Sequence, residues 1–194
     1  TTFAKMGLDL GDQFPPGLER FGVEGEEPPL DIYPGAVRNT GLEGADFETD
    51  APQFAFAGIG QGTVATSPLE MAMIAASVAN GGVMLEPRAA MEIRDQGGKV
   101  VERFEPRPWR TAMSPATAQT LNVMMRTVVE RGTGTRAQLA DVAVAGKTGT
   151  AQNSTGDPHA WFIGFAPADA PRYAVAVLVE NGGSTGSEAT GGAV

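Results

Sequence analysis

Hydrophobic positions along this chain follow two periods, one helical and one alternating. Over 69–78, Met71, Met73, Ile74, Ala75, Ala76 and Val78 crowd nearly every side of a helix, a pattern tolerated only inside a protein or in lipid. Ser67 as N-cap, Pro68 at the first helical position and Glu70 completing a capping box open that helix, and Asn80-Gly81-Gly82 stops it. Its length predicts a buried core helix rather than a membrane span. A second capped helix begins at Ser114-Pro115. Leu121, Met124, Met125, Val128 and Val129 supply its apolar stripe, with the methionines as core filler, and Gly132 ends it.

Alternation takes over elsewhere. Segments 88–95 and 99–104 flank Gln96-Gly97-Gly98 and predict a hairpin with Met91, Ile93, Val101 and Phe104 available to pack. Three strands are predicted over 142–151, 160–166 and 173–180, joined by links short enough to favour antiparallel neighbours. From 14 to 56, Pro15-Pro16, Pro28-Pro29 and Pro34-Gly35 interrupt an acidic stretch without sustained period, which reads as an irregular surface excursion. The sum is a mixed α/β protein with an antiparallel sheet flanked by helices.

Composition narrows the chemistry. Of 194 residues, 42% are hydrophobic and 19% charged, which is globular composition. Zero cysteines and one histidine, His159, leave little for a disulfide framework or a metal site. The net charge of −9 argues against nucleic acid as a partner. Residues 1–60 hold 11 of the 23 acids and only 3 of the 14 bases. No apolar run approaches the length of a membrane span, and both ends read as cuts in a longer polypeptide.

The most informative segment is Ala145-Gly146-Lys147-Thr148-Gly149-Thr150-Ala151, a cation and two hydroxyls among glycines near a strand end. Gly146-Lys147-Thr148 could close a phosphate-binding loop, but that motif needs glycine where Asp141 stands and a helix where Asn153 to Pro158 form turn chemistry. A plain strand with its lysine in solvent is the bland alternative. His159 reads as a surface or hydrogen-bonding group, Trp161 and Phe162 as packing the sheet against helices, Gln61 as a turn residue, and Gly132-Thr133-Gly134-Thr135 as a flexible connector.

Context comes from five ordered blocks. Gly60-Gln61-Gly62, then 66–72 and 79–82, then Lys147-Thr148-Gly149-Thr150-Ala151, then 159–167, preceded by an opening like Thr1 to Gly7, together resemble a penicillin-binding protein. The likeness is greatest to the class B, monofunctional D,D-transpeptidases of actinobacteria, and is weakest over 14–56. It implies a penicillin-binding/β-lactamase-like transpeptidase fold, here incomplete at both ends, with the whole of 1–194 forming the C-terminal portion of one such domain. Within it, 1–13 would end the helix after the second motif, 14–56 the irregular segment, 57–141 the helical core and hairpin, and 142–194 the sheet.

That family joins Ser-x-x-Lys, Ser-x-Asn and Lys-Thr-Gly in one cleft. No serine lies three positions before Lys5, Lys99 or Lys147, and none lies two before an asparagine. The expectation is therefore a piece that carries only the third motif and is inactive by itself. By resemblance, Lys147 supplies charge beside the serine of the second motif, and the hydroxyls of Thr148 and Thr150 bind the substrate carboxylate. Gly149 keeps the strand flat for an added peptide strand, and the Thr150 N–H forms half of an oxyanion hole.

The implied activity is peptidoglycan cross-linking through an acyl-serine. The implied partners are a D-Ala-D-Ala stem peptide, β-lactams, and cell-wall synthesis or division proteins, outside the cytoplasmic membrane and tethered by an upstream anchor. No cofactor or metal is implied. A D,D-carboxypeptidase or β-lactamase, and a non-catalytic β-lactam sensor or scaffold of the same fold, stay open as rivals.

Overall fold

The computed structural model describes residues 2–23, 25–29, 42, 44–154 and 156–182. Its centre is α4 (Pro68–Ala79), which packs against a three-stranded sheet and against α5 (Pro115–Arg131). Both helices start as their sequences dictate. Ser67 Oγ accepts the Glu70 N–H at 3.2 Å and Ser114 Oγ accepts the Thr117 N–H at 3.1 Å, each ahead of a proline at the first helical position. Met73, Ala75 and Val78 are buried, and the buried Ser77 hydroxyl donates to the Ile74 carbonyl at 2.7 Å. On α5 the buried face runs through Ala118, Met125 and Val129. Met124 is a correction to the predicted stripe: it lies off that face and is 58% exposed.

The sheet joins β5 (Ala145–Ala151), β6 (His159–Ala166) and β7 (Tyr173–Val179) in that order, antiparallel throughout. Its register is continuous from Ala145 opposite Phe165 to Ala151 opposite His159, and from Ala160 opposite Val179 to Ala166 opposite Tyr173. Ala145, Phe165 and Ala174 carry one face into the core beside Met73, Met84 and Met125. On the other face Phe162 lies flat over two glycines: a Cβ at Gly146 would stand 2.4 Å from its ring, and one at Gly164 would stand 3.0 Å from it. Phe162 thus packs within the sheet it belongs to, while Trp161, on the opposite face, is half-buried.

Two smaller ladders lie between the helices. β1 (Val83–Leu85) pairs with β4 (Pro108–Thr111), and β2 (Glu92–Arg94) pairs with β3 (Val100–Arg103) as a hairpin inserted between them. Asp95 Oδ1 accepts the N–H groups of Gly97 and Lys99 and closes the turn. The hairpin forms where the alternation puts it, but its apolar residues do not pack as expected. Met91 is 78% exposed, Val101 66% and Ile93 47%, because the ladder stands clear of both core clusters.

The expectation of an irregular 14–56 is corrected at both ends, while positions 24, 30–41 and 43 lie outside the described residues. α2 (Phe14–Arg20) begins with Pro15 and Pro16 in its first turn, where their missing N–H groups cost nothing. α3 (Phe47–Ala57) is capped by Asp46, which accepts the Glu48 N–H at 2.8 Å, and it kinks at Asp50 ahead of Pro52. Together with α1 (Thr2–Leu10) these helices bury a second cluster of Leu42, Phe54 and Ala57. Phe47 meets Phe54 edge to face at 5.3 Å. Arg110 on β4 ties this part to the rest by donating to the backbone carbonyls of Glu19 and Glu26.

Candidate active site

The chemistry predicted from the sequence converges on β5. β6 takes one of its edges, and no strand among the described residues takes the other. Period-two alternation puts Lys147 and Gly149 on the face that carries Ala145, and Thr148 and Thr150 on the opposite one. Lys147 is exposed at its surface, and its ammonium donates to the Thr148 carbonyl. Partial burial draws that ammonium below the ordinary 10.5, because desolvation disfavours the charged form. Its proton is therefore more readily given up than that of a surface lysine.

The two threonines differ. Thr150 is exposed, whereas Thr148 is 7% exposed and shares a hydrogen bond of 2.6 Å with the hydroxyl of Thr133. Thr133 follows the end of α5, where Gly132 fits because a Cβ there would stand 2.8 Å from the Val128 Cα. The expectation of a flexible connector over 132–135 is thus corrected. The Gly134 N–H binds the Val128 carbonyl at 3.0 Å, and the segment delivers a hydroxyl to the third motif. Gly149 sits opposite Trp161, and a Cβ there would come 3.2 Å from the Trp161 Cβ.

Gln61 does more than the turn expected of it. α3 ends in Gly58, and Gly60 and Gly62 follow with φ of 69° and 77°, a region that side chains disfavour. The Gln61 N–H completes the turn on the Phe56 carbonyl, and its side chain reaches the open edge of β5. There Nε2 donates to the Thr150 carbonyl at 2.9 Å, and Oε1 accepts the Gln152 N–H at 3.2 Å. The sequence signal for this was the paired glycines, which free a loop to aim the residue between them.

His159, at the far end of the motif, keeps a structural part. Its Nδ1 accepts the Asn181 N–H at 3.0 Å, and its Nε2 stands 3.5 Å from the Asn153 side-chain amide nitrogen. Asn153 braces the same corner by donating to Asn181 Oδ1 at 2.9 Å and to the Asp157 carbonyl at 2.8 Å. Three serines are accounted for elsewhere: Ser67 and Ser114 cap helices, and Ser77 bonds within α4. Two cavities, of about 590 Å³ beside α4 and β1 and about 680 Å³ under the hairpin, have no β5 residue in their walls. What remains is a strand edge offering an ammonium, an exposed hydroxyl and outward peptide groups. That set complements an extended chain ending in a carboxylate.

Known proteins resemble this chain along nearly all of its length. Residues 6–194 match the family model for the penicillin-binding protein transpeptidase domain. The peptidoglycan D,D-transpeptidase PbpA of Mycolicibacterium smegmatis is 37% identical over all of this chain and 39% of its own length. Penicillin-binding protein PbpB of Mycobacterium tuberculosis is 34% identical over 82% of this chain and 24% of its own. Among solved structures, PBPA from M. tuberculosis superposes with a TM-score of 0.79 at 35% identity, covering 100% of this chain and 45% of that one. The D,D-transpeptidase domain of a peptidoglycan glycosyltransferase from Eggerthella lenta gives 0.81 at 30% identity, covering 94% and 46%. The chain thus spans about two fifths of the length of the PbpA relatives it matches. An antiparallel sheet packed against helices, the Lys-Thr-Gly-Thr edge and a match running from residue 6 to residue 194 lead to one assignment: the chain belongs to the penicillin-binding protein transpeptidase family.

Proposed function

We propose that this chain supplies one wall of the active site of a peptidoglycan D,D-transpeptidase whose nucleophilic serine lies in polypeptide preceding it. The observation that carries the reading is the Lys147-Thr148-Gly149-Thr150 run on the open edge of β5. In support, relatives carry the name peptidoglycan D,D-transpeptidase, and penicillin-binding protein A from M. tuberculosis has been solved as acyl-enzymes with imipenem and penicillin G.

In the proposed reaction the serine oxygen adds to the penultimate carbonyl of a D-Ala-D-Ala stem, and the serine proton passes to the departing D-alanine amine. An acceptor amine then attacks the acyl-serine and returns the proton to the serine oxygen. The Thr150 N–H steadies the oxyanion in both steps, a contribution of about 10²–10³ in rate for such a donor. Lys147 holds the serine relay in place and attracts the substrate carboxylate, and its lowered pKa eases proton exchange with that relay. The Thr150 hydroxyl binds the carboxylate directly, and Thr148 joins it through the pair with Thr133. Gly149 leaves the strand surface clear for the peptide. The site faces the outside of the cytoplasmic membrane, where peptidoglycan lies. Among the described residues no helix is long and apolar enough to cross a membrane.

The test is covalent labelling of the longer protein by a fluorescent penicillin. Lys147→Ala should lower the acylation rate about 100-fold, and unchanged kinetics would remove Lys147 from the mechanism. Release of D-alanine from a D-Ala-D-Ala peptide together with acyl transfer to an added amine separates a transpeptidase from a sensor, which would hold the penicillin adduct and transfer nothing.

A further inference from the structure

The outward peptide groups of β5 show what Gln61 is doing. Peptide groups alternate in direction along a strand, so the bond from Gln61 to the Thr150 carbonyl fixes Gly146, Thr148, Thr150 and Gln152 as the residues that face the open edge. In an antiparallel pair, a residue of the incoming strand that accepts one of these N–H groups also donates its own N–H to the carbonyl of the same residue. Under the transpeptidase reading, on which this inference rests, the reacting carbonyl sits on the Thr150 N–H. The N–H of that same substrate residue must then go to the Thr150 carbonyl. Gln61 Nε2 already occupies that carbonyl at 2.9 Å, and Gln61 Oε1 covers the next outward N–H, that of Gln152.

We infer that Gln61 is a placeholder for the donor peptide: its carboxamide satisfies the Thr150 carbonyl and the Gln152 N–H while the edge is empty, and the backbone amide of the bound peptide or of an acylamino β-lactam displaces it. The exchange needs little movement. Gln61 is joined to the loop by rotatable side-chain bonds, and a Cβ at Gly60 would meet nothing within 4 Å. The gain is that the Thr150 carbonyl and the Gln152 N–H stay paired when the edge is free of ligand, which lowers the tendency of an exposed strand to recruit the wrong chain. The cost is a competitor for the substrate amide. Gln61 acts through Thr150 and is a positioning residue.

The experiment uses the longer protein with Gln61→Met, which keeps the side-chain length and removes the hydrogen-bonding groups, and with Gln61→Ala. Second-order acylation rates are measured with penicillin G, which carries an acylamino N–H, and with imipenem, which has a hydroxyethyl group in that place. Loss of the competitor should raise the ratio of the penicillin G rate to the imipenem rate about fivefold in both variants, the size of one net hydrogen bond. A ratio that is unchanged or lowered, including an equal fall with both drugs, overturns the placeholder and makes Gln61 a strut for β5. Failure of either drug to acylate the protein with Gln61 intact overturns the transpeptidase reading, and the inference with it.

Discussion

Among the described residues β5 and β7 are the two outer strands of one sheet, and they are built on opposite principles. β7 reads Tyr-Ala-Val-Ala-Val-Leu-Val, β-branched or aromatic at four of its seven positions, and would favour a strand in many settings. β5 reads Ala-Gly-Lys-Thr-Gly-Thr-Ala, with two glycines and two alanines, and has little intrinsic preference for one. It is held by the ladder to β6, by the Phe162 ring over Gly146, and by the side chains of Thr133 and Gln61 from outside the sheet. The outward row of β7 is plain: Val175, Val177 and Val179 are 46%, 39% and 40% exposed. β7 thus has a strand preference of its own, while the edge proposed to bind substrate borrows its order from neighbours. Small residues and outward-facing peptide groups are what a strand-like ligand needs, and they are also what makes a weak strand.

The hardest blow to that contrast comes from bulk at the glycines. Gly146→Val should destabilise the protein by about 3 kcal/mol, because its Cβ would start 2.4 Å from the Phe162 ring. Val177→Thr on β7 should shift stability by about 0.5 kcal/mol or less. Urea unfolding of the two variants measures both, and equal tolerance would show that β5 is no more constrained than β7.

A smaller effect isolates the side chains that prop β5. Thr133→Val leaves the 7%-exposed Thr148 hydroxyl without its partner and should cost about 1–2 kcal/mol. It should also slow penicillin acylation of the longer protein. Thr133→Ser, which keeps the hydroxyl, should restore both. Acylation that falls equally with Ser would place the effect in the methyl packing instead.

The smallest expected effect is in the pH dependence of stability. The folded state lowers the Lys147 pKa, so over the window from that lowered value to about 10.5 the unfolded chain binds more protons than the folded one. Stability contributed through Lys147 therefore rises with pH across that window. Lys147→Met should flatten the rise, and midpoints from thermal unfolding at pH 7 and pH 10 would show it. An unaltered slope would mean that the ammonium is fully hydrated in the folded protein.

Reading the chain from residues alone succeeded wherever the signal was local. Ser67 and Ser114 each bind an N–H three residues on, so the starts of α4 and α5 could be placed from short windows. It failed where one signal had two meanings. Pro15-Pro16 looks like a break and is the first turn of α2, because a proline at a helix start removes only an N–H that has no partner there. Met91, Ile93 and Val101 alternate as a packed hairpin should, yet no element among the described residues covers them.

By itself the sequence determined the periods, the caps, the order of the three sheet strands and the presence of Lys147 to Thr150 on one of them, since each depends on residues within a turn or two of one another. The tertiary structure decided that Thr133 meets Thr148 and that Gln61, 89 positions before Thr150, lies on its carbonyl. Those contacts exist only once α3, α5 and the sheet have packed. A side chain's hydrogen-bonding groups do not encode which distant peptide group will be left open to them, because that is settled by how the core closes.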